Sequence, residues 1–286
     1  MSIVNSIIEQ LTLVEDINKI LENHGISLKL RLEDLTITND TVNDLVKHNS
    51  LLSDAIVDYI WDNVESKEVF HYTTKTKAES ILNSGFFRLY NLLKRFEEGE
   101  VNTFCISHNL NGYLEKDDND SPTYKKLLIN NMYYASFSDT KLNDQEEKYL
   151  KNEFSSFEGV RLKLKITATN KNFRKIVYEP SKGKPLPLLN EISTLVETKL
   201  KRKFILKGIS RLCAFYLSNS FKLESEYRIL FKYQEECGVC IKNDSTYNYI
   251  ELPLGTMSST GYMIEVLEVQ TNEKLNISDN YNLKYW

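Results

Sequence analysis

The sequence predicts an α+β fold, with an acidic helical N-terminal extension over residues 1–66 and a strand-rich domain over 67–286. Three observations predict it. Apolar residues recur at helical spacing through the first sixty residues. From Val69 onward, short strand-like runs outnumber helical segments, the clearest being the period-2 stretch 159–167. Runs of strands mixed with separate helices, rather than a regular alternation of the two, mark the α+β class.

The elements follow in order. Ile3, Ile7, Ile8, Leu11, Leu13, Val14, Ile17 and Ile20 define a first helix over 1–23, and His24-Gly25 ends it, glycine being suited to a left-handed cap. Residues 40–64 read as one or two further helices, capped by Asp40 or Thr41 and burying Val42, Leu45, Val46, Leu52, Ile56 and Trp61. Val69–Thr73 is a strand ending near His71; 75–84 is an amphipathic helix stopped by Gly85; 86–89 is a strand. The charged stretch 114–121 is a surface loop, and His108 is placed in a loop before it. Met132–Ser138 is a strand, 142–154 a charged helix, and 159–167 a strand with Val160, Leu162, Leu164 and Ile166 on one face. Residues 187–217 are mainly helical, and strands close the chain at 226–233, 239–242, 249–252 and 263–270.

Composition narrows the functional classes. The first residues lack the basic start of a secretory signal, and no apolar run reaches membrane-spanning length. The expected location is the cytoplasm, with no membrane partner. Four scattered cysteines suit a reducing compartment. Cys237 and Cys240 have C-x2-C spacing but no second pair, so a turn is preferred to a zinc site and no metal is expected. His24 and His48 have no spacing that suggests metal binding or catalysis. The net charge of −4 hides an asymmetry: residues 1–66 hold twelve acids and four Lys/Arg, whereas 160–211 hold fourteen Lys/Arg and three acids. The basic segment reads either as a track for a nucleic acid backbone or as solvated helix and strand faces.

No Walker loop, G-x-G-x-x-G, H-E-x-x-H or G-x-S-x-G is present. What remains is an ordered set of three strand-borne elements: His71-Tyr72-Thr73, Ser136-Phe137-Ser138, and Glu224-Ser225-Glu226-Tyr227-Arg228. A glutamate opening an apolar strand is costly to bury without a partner, so Glu226 is either exposed or placed for a purpose. Arg228, two positions on, shares its face and is a candidate partner.

The segment FHYTTKTKAESILNSGFFRL resembles the first strand and helix of ADP-ribosyltransferases of the diphtheria-toxin/PARP type, and the opening of bacterial DNA-targeting ADP-ribosyltransferase toxins. Glu226-Tyr227-Arg228-Ile229-Leu230 is similar to the PARP strand that bears the catalytic glutamate. The order of motifs also resembles a bacterial family of unknown function that opens with the same His-Tyr-Thr. The resemblance spans about residues 67–270 and implies a split pair of β-sheets with NAD as co-substrate in the cleft. On this basis His71, supported by Thr73, grips the adenosine ribose. Glu226 stabilises the oxocarbenium-like transition state as nicotinamide leaves. Tyr134, then Phe137, is the aromatic that stacks on nicotinamide, while Ser136 and Ser138 match the Ser-x-Ser element of the other transferase branch. Glu224 stands between target activation and simple exposure.

The implied function is a toxin or phage-defence effector that ADP-ribosylates nucleic acid, RNA first, through the basic 160–211 segment. It resembles the mRNA-modifying toxin of toxin–antitoxin–chaperone systems, with the acidic extension shielding the basic face or docking an antitoxin. The rivals are transfer to a protein side chain and an interaction module of the same fold without catalysis. An RNA 2′-phosphotransferase stands further off, since its phosphate-gripping Arg/His set is not assignable.

Overall fold

A computed structural model describes residues 3–44, 50–93, 99–116, 131–155, 159–181, 183–272, 274–278 and 280–285. Helix accounts for 36% and strand for 31%, so neither dominates and the class is α+β.

Helix α1 (Ile3–Asn23) forms over the stretch its spacing indicates and buries Leu13, Val14, Ile17 and Leu21. It ends in a Schellman motif: the Gly25 N–H donates to the Glu22 carbonyl and the Ile26 N–H to that of Leu21, with Gly25 at φ 75°. The expected helix from residue 40 begins as strand instead. After β1 (Thr36–Ile37) comes β2 (Thr41–Asn43), and helix α2 covers only Leu51–Ile60. Leu45, Val46 and His48 lie outside the described residues.

The next elements follow the sequence pattern: β3 (Ser66–Thr73), α3 (Lys75–Ser84) stopped by left-handed Gly85, and β4 (Phe86–Asn91). Helix α4 (Glu100–Ser107) was not anticipated, and His108 is its C-terminal cap rather than part of a loop. The expected loop at 114–121 lies mostly outside the described residues. Then come β5 (Met132–Asp139), α5 (Asp144–Ser155) and β6 (Val160–Ala168). A reciprocal capping box starts α5, with Asn143 Oδ1 accepting from the Glu146 N–H and Glu146 Oε2 from the Asn143 N–H.

Two short strands follow, β7 (Phe173–Lys175) and β8 (Val177–Tyr178). The region expected to be mainly helical is broken into α6 (Pro187–Thr194) with a π-turn over Leu195–Lys199, β9 (Lys203–Ile205), α7 (Ile209–Ala214) and β10 (Tyr216–Leu217). The breaks have long-range causes. β9 pairs in parallel with β2, setting Phe204 beside Val42, and β10 pairs with β8. β11 (Glu226–Lys232) is as predicted, but the strand expected at 239–242 is replaced by a 3-10 turn at Glu235–Cys237, left-handed Gly238 and a short β12 (Lys242–Asn243). The chain closes with β13 (Asn248–Pro253), β14 (Tyr262–Thr271) and β15 (Leu283–Tyr285).

These elements form two compact units. The first gathers Met1–Asp62, Arg95–Leu128 and Val177–Asn219; the second gathers Asn63–Lys94, Ile129–Ile176 and Ser220–Trp286. The break at 62/63 falls four residues before the expected 66/67, and two later segments fold with the first. The first unit holds helices α1, α2, α4, α6 and α7 with the small sheets β1-β2-β9 and β8-β10, and the Trp61 indole N–H donates to the Phe215 carbonyl. The second unit holds one large sheet in the order β12-β13-β4-β5-β3-β6-β14-β15, with β11 also on β5 and β7 beyond β11. All its strand pairs are antiparallel except β14–β15. Its core includes the predicted inward row Val160, Leu162, Leu164 and Ile166, all fully buried.

Candidate active site at a fork in the sheet

Strand β5 has three neighbours. One edge is paired with β11 along Met132–Ser138. The other is shared: β4 pairs through Tyr133 and Tyr134, and β3 through Ser138 and Asp139. Residues 135–137 lie between, paired on that side with neither strand, so the sheet forks there.

The His71 ring reaches into this fork, 5.0 Å from the Phe87 ring and 5.9 Å from Phe137. His71 Nδ1 lies 3.4 Å from the Ser136 carbonyl oxygen. Because a carbonyl only accepts, this contact assigns the proton to Nδ1 and leaves Nε2 as an acceptor. Burial disfavours the imidazolium, the Ser136 carbonyl offsets part of that, and Lys77 adds repulsion; together they lower the pKa to about 4. At neutral pH the ring is uncharged. Thr73, at the end of β3, is buried opposite Val160.

Residues opposed in an antiparallel ladder share a face, and successive residues alternate. Phe70, Ser138 and Glu226 are opposed across β3, β5 and β11 and form one row. His71 and Thr73 alternate so that His71 falls on the other face with Phe137, as its ring contact confirms. Tyr134, Ser136 and Ser138 share the Glu226 face. The anticipated site residues are therefore divided: His71, Thr73 and Phe137 on one face, Tyr134, Ser136 and Glu226 on the other. They meet only around the fork.

Glu226 is 2% exposed. Arg228 holds it in a fork, Nε at 2.6 Å from Oε1 and Nη2 at 3.2 Å from Oε2, which makes Arg228 the ion-pair partner its spacing suggests. Arg228 is itself fully buried, opposite Ser136 on β5 and opposite Arg174 on β7, with its guanidinium 5.6 Å from the Tyr134 ring. Arg174 is also fully buried and donates from Nε to the Lys171 carbonyl at 2.8 Å. Nothing in the local sequence singles Arg174 out; its importance comes from a ladder partner more than fifty residues away. Glu224 is 6% exposed, which removes the reading of simple exposure; burial first, and then the charges of Glu224 and Glu153, raise the Tyr149 pKa. Between the two glutamates, Ser225 takes a left-handed φ of 44°.

Helix α5 packs on the Glu226 side of β3. Leu150 joins Phe70 and Tyr72 in a small cluster, and Arg161 lies 4.3 Å from the Phe70 ring while bonding Glu147 at 2.8 Å.

Six of the fourteen cations of the basic segment are paired with acids. In the second unit Lys163 pairs with Glu68, Lys165 with Glu265, and Arg161 with Glu147. In the first, Arg202 pairs with Glu9, Lys203 with Glu115 and Arg211 with Asp54. Cys237 packs partly on the core and Cys240 is exposed. Among the described residues no group of His, Cys, Asp and Glu has the arrangement of a metal site, and no helix is long and apolar enough to cross a membrane.

No protein-family model, curated protein or solved structure matches the chain.

Proposed function

We propose that the second unit is an NAD-dependent ADP-ribosyltransferase of the split-sheet kind, with the dinucleotide seated in the fork. The observation that carries this reading is the neutral His71 imidazole, bonded to the Ser136 carbonyl where β3 and β4 part along one edge of β5, and walled by Phe87 and Phe137. A flat heterocycle carrying an amide suits such a place, since aromatic walls and backbone donors and acceptors meet there. The ladder register sets a strict condition. With His71 and Glu226 on opposite faces, the ligand must thread the opening between β3 and β4 for the imidazole to hold one end and the carboxylate to face the other. Glu226 then acts as a fixed negative charge against the oxocarbenium-like centre, and Arg228 holds it in place.

Incubation with NAD tests the proposal. The wild-type chain should release nicotinamide, Glu226→Gln should lose at least about 100-fold, and His71→Ala should weaken binding. The glutamine variant keeps the size of the side chain and an acceptor for Arg228 but leaves that buried charge uncompensated, so circular dichroism and urea unfolding establish that it is folded before its activity is compared. If NAD is neither bound nor cleaved by the folded wild-type chain, the reading is wrong.

A second reading has its own support. The Glu226 carboxylate is buried and held at both oxygens by Arg228, as in a structural ion pair. On that reading the chain is an interaction module of the same fold. NAD binding without nicotinamide release would favour it.

For the acceptor, the ion pairs along 160–211 weaken the argument from charge to nucleic acid. RNA, DNA and protein are separate arms of one experiment, in which labelled NAD is incubated with each. The toxin or phage-defence role, and docking of an antitoxin on the acidic N-terminal residues, rest on an acceptor being found.

A further inference from the structure

Within the first unit three helices bring together Tyr59, His24 and Glu191, residues far apart in sequence. His24 caps α1, where the Schellman turn fixes its backbone. Its Nε2 is 3.1 Å from Glu191 Oε1 on α6, and its Nδ1 is 3.3 Å from the Tyr59 hydroxyl on α2. The two rings meet edge to face at 82°. The two bonds are compatible with a single tautomer: Nε2–H donates to the carboxylate, and Nδ1 accepts from the phenol. The order carboxylate, imidazole, hydroxyl is that of an activated nucleophile, in which a base takes the proton and a third group orients the base. A phenol is a stronger acid than an aliphatic hydroxyl, so a neighbouring base removes its proton more readily than that of a serine. Tyr59 is 47% exposed, while the His24 side chain is only 17% exposed, so the oxygen is reachable and the base is sheltered.

We infer that Tyr59 is a nucleophilic site that accepts groups from tetrahedral phosphorus or sulfur electrophiles bearing a good leaving group. In the step, a bond forms from Tyr59 Oη to the phosphorus or sulfur and the bond to the leaving group breaks. The leaving group departs with the electron pair. The phenolic proton passes to His24 Nδ1, and Glu191 holds the resulting imidazolium. This site does not depend on the NAD reading.

Phenylmethanesulfonyl fluoride is a suitable probe, since attack forms an O–S bond and expels fluoride. The full chain is treated at neutral pH and labelling of each tyrosine is followed by peptide mass spectrometry. Tyr285, which is 67% exposed, serves as the internal comparison. Tyr59 should label about 10-fold faster than Tyr285, a modest general-base effect for a solvated site, and His24→Gln should bring it to the Tyr285 rate. Glu191→Gln, at a half-exposed position, should slow it several-fold and decides the matter if His24→Gln does not fold. Equal rates for the two tyrosines, or a Tyr59 rate unchanged in the folded variants, would reduce the triad to a clasp between helices and overturn the proposal.

Discussion

Each unit holds a histidine whose charge burial disfavours, and the pair is instructive: His108 is fully buried, whereas His71 is part-buried. His108 and His71 both lose their charge to burial, with pKa values lowered to about 4, and both bond a backbone carbonyl through Nδ1. In the first unit, His108 Nε2 is also occupied, accepting the Leu186 N–H at 2.9 Å, and the ring lies against Phe104 and Tyr216. It is a cross-link between α4 and the entry to α6. In the second unit, no protein group among the described residues bonds His71 Nε2, and the ring stands where the sheet opens. The first unit uses its buried polar groups to join distant segments. Asp44 does the same, accepting from the N–H groups of Ser53 and Lys207 and from the Ser53 hydroxyl, while Ser53 Oγ accepts from Gly208 N–H. A buried polar residue is thus a candidate for chemistry only when part of its bonding capacity is left over.

The largest expected effect tests the Glu226–Arg228 pair. Arg228→Met strands a buried carboxylate and should cost about 3–5 kcal/mol in urea unfolding. Replacing both residues by apolar ones of similar size should recover most of that. Next comes the histidine comparison itself. His108→Ala leaves the Leu186 N–H unsatisfied and opens a cavity, at a cost of about 2–4 kcal/mol. His71→Ala should cost less than half as much, yet remove the rise in melting temperature that the NAD proposal predicts for the wild type. Equal stability losses with an unchanged response to NAD would break the comparison.

Gly208→Ala is expected to cost about 1–3 kcal/mol, because the new Cβ would lie 2.6 Å from Ser53 Cβ and disturb the Asp44 cross-link. Acid should weaken both units. An unfolded histidine binds a proton near pH 6.5 and these folded ones only near 4, so stability is full above 6.5 and falls as pH drops through that window. The loss is on the order of 3 kcal/mol for each imidazole once pH 4 is passed, and His108→Gln should flatten the slope of a chemical-denaturation series across it. The smallest effect belongs to the surface: Lys163→Ala should change stability by less than about 1 kcal/mol, since its pair with Glu68 is half-exposed.

What could be read from the residues alone was whatever repeats locally. Strand β6 shows period-2 alternation along its whole length, and helix α3 has its glycine stop, so their pattern specifies both element and buried face. The order of the motifs around His71, Ser136 and Glu226 was equally legible, as was the Glu226–Arg228 partnership, because residues two apart on a strand share a face. Tertiary structure decided the rest. Residues 41–43 are strand because β9 lies beside them, and the first unit is assembled from three separated segments. Arg174 stands opposite Arg228, and the acids Glu9, Glu68 and Glu147 neutralise cations that looked free. It also set His71 and Glu226 on opposite faces and opened the fork between them. Those outcomes depend on ladder register and on contacts between residues in different elements, many of them dozens to more than a hundred positions apart, and periodicity within a single segment carries no record of them.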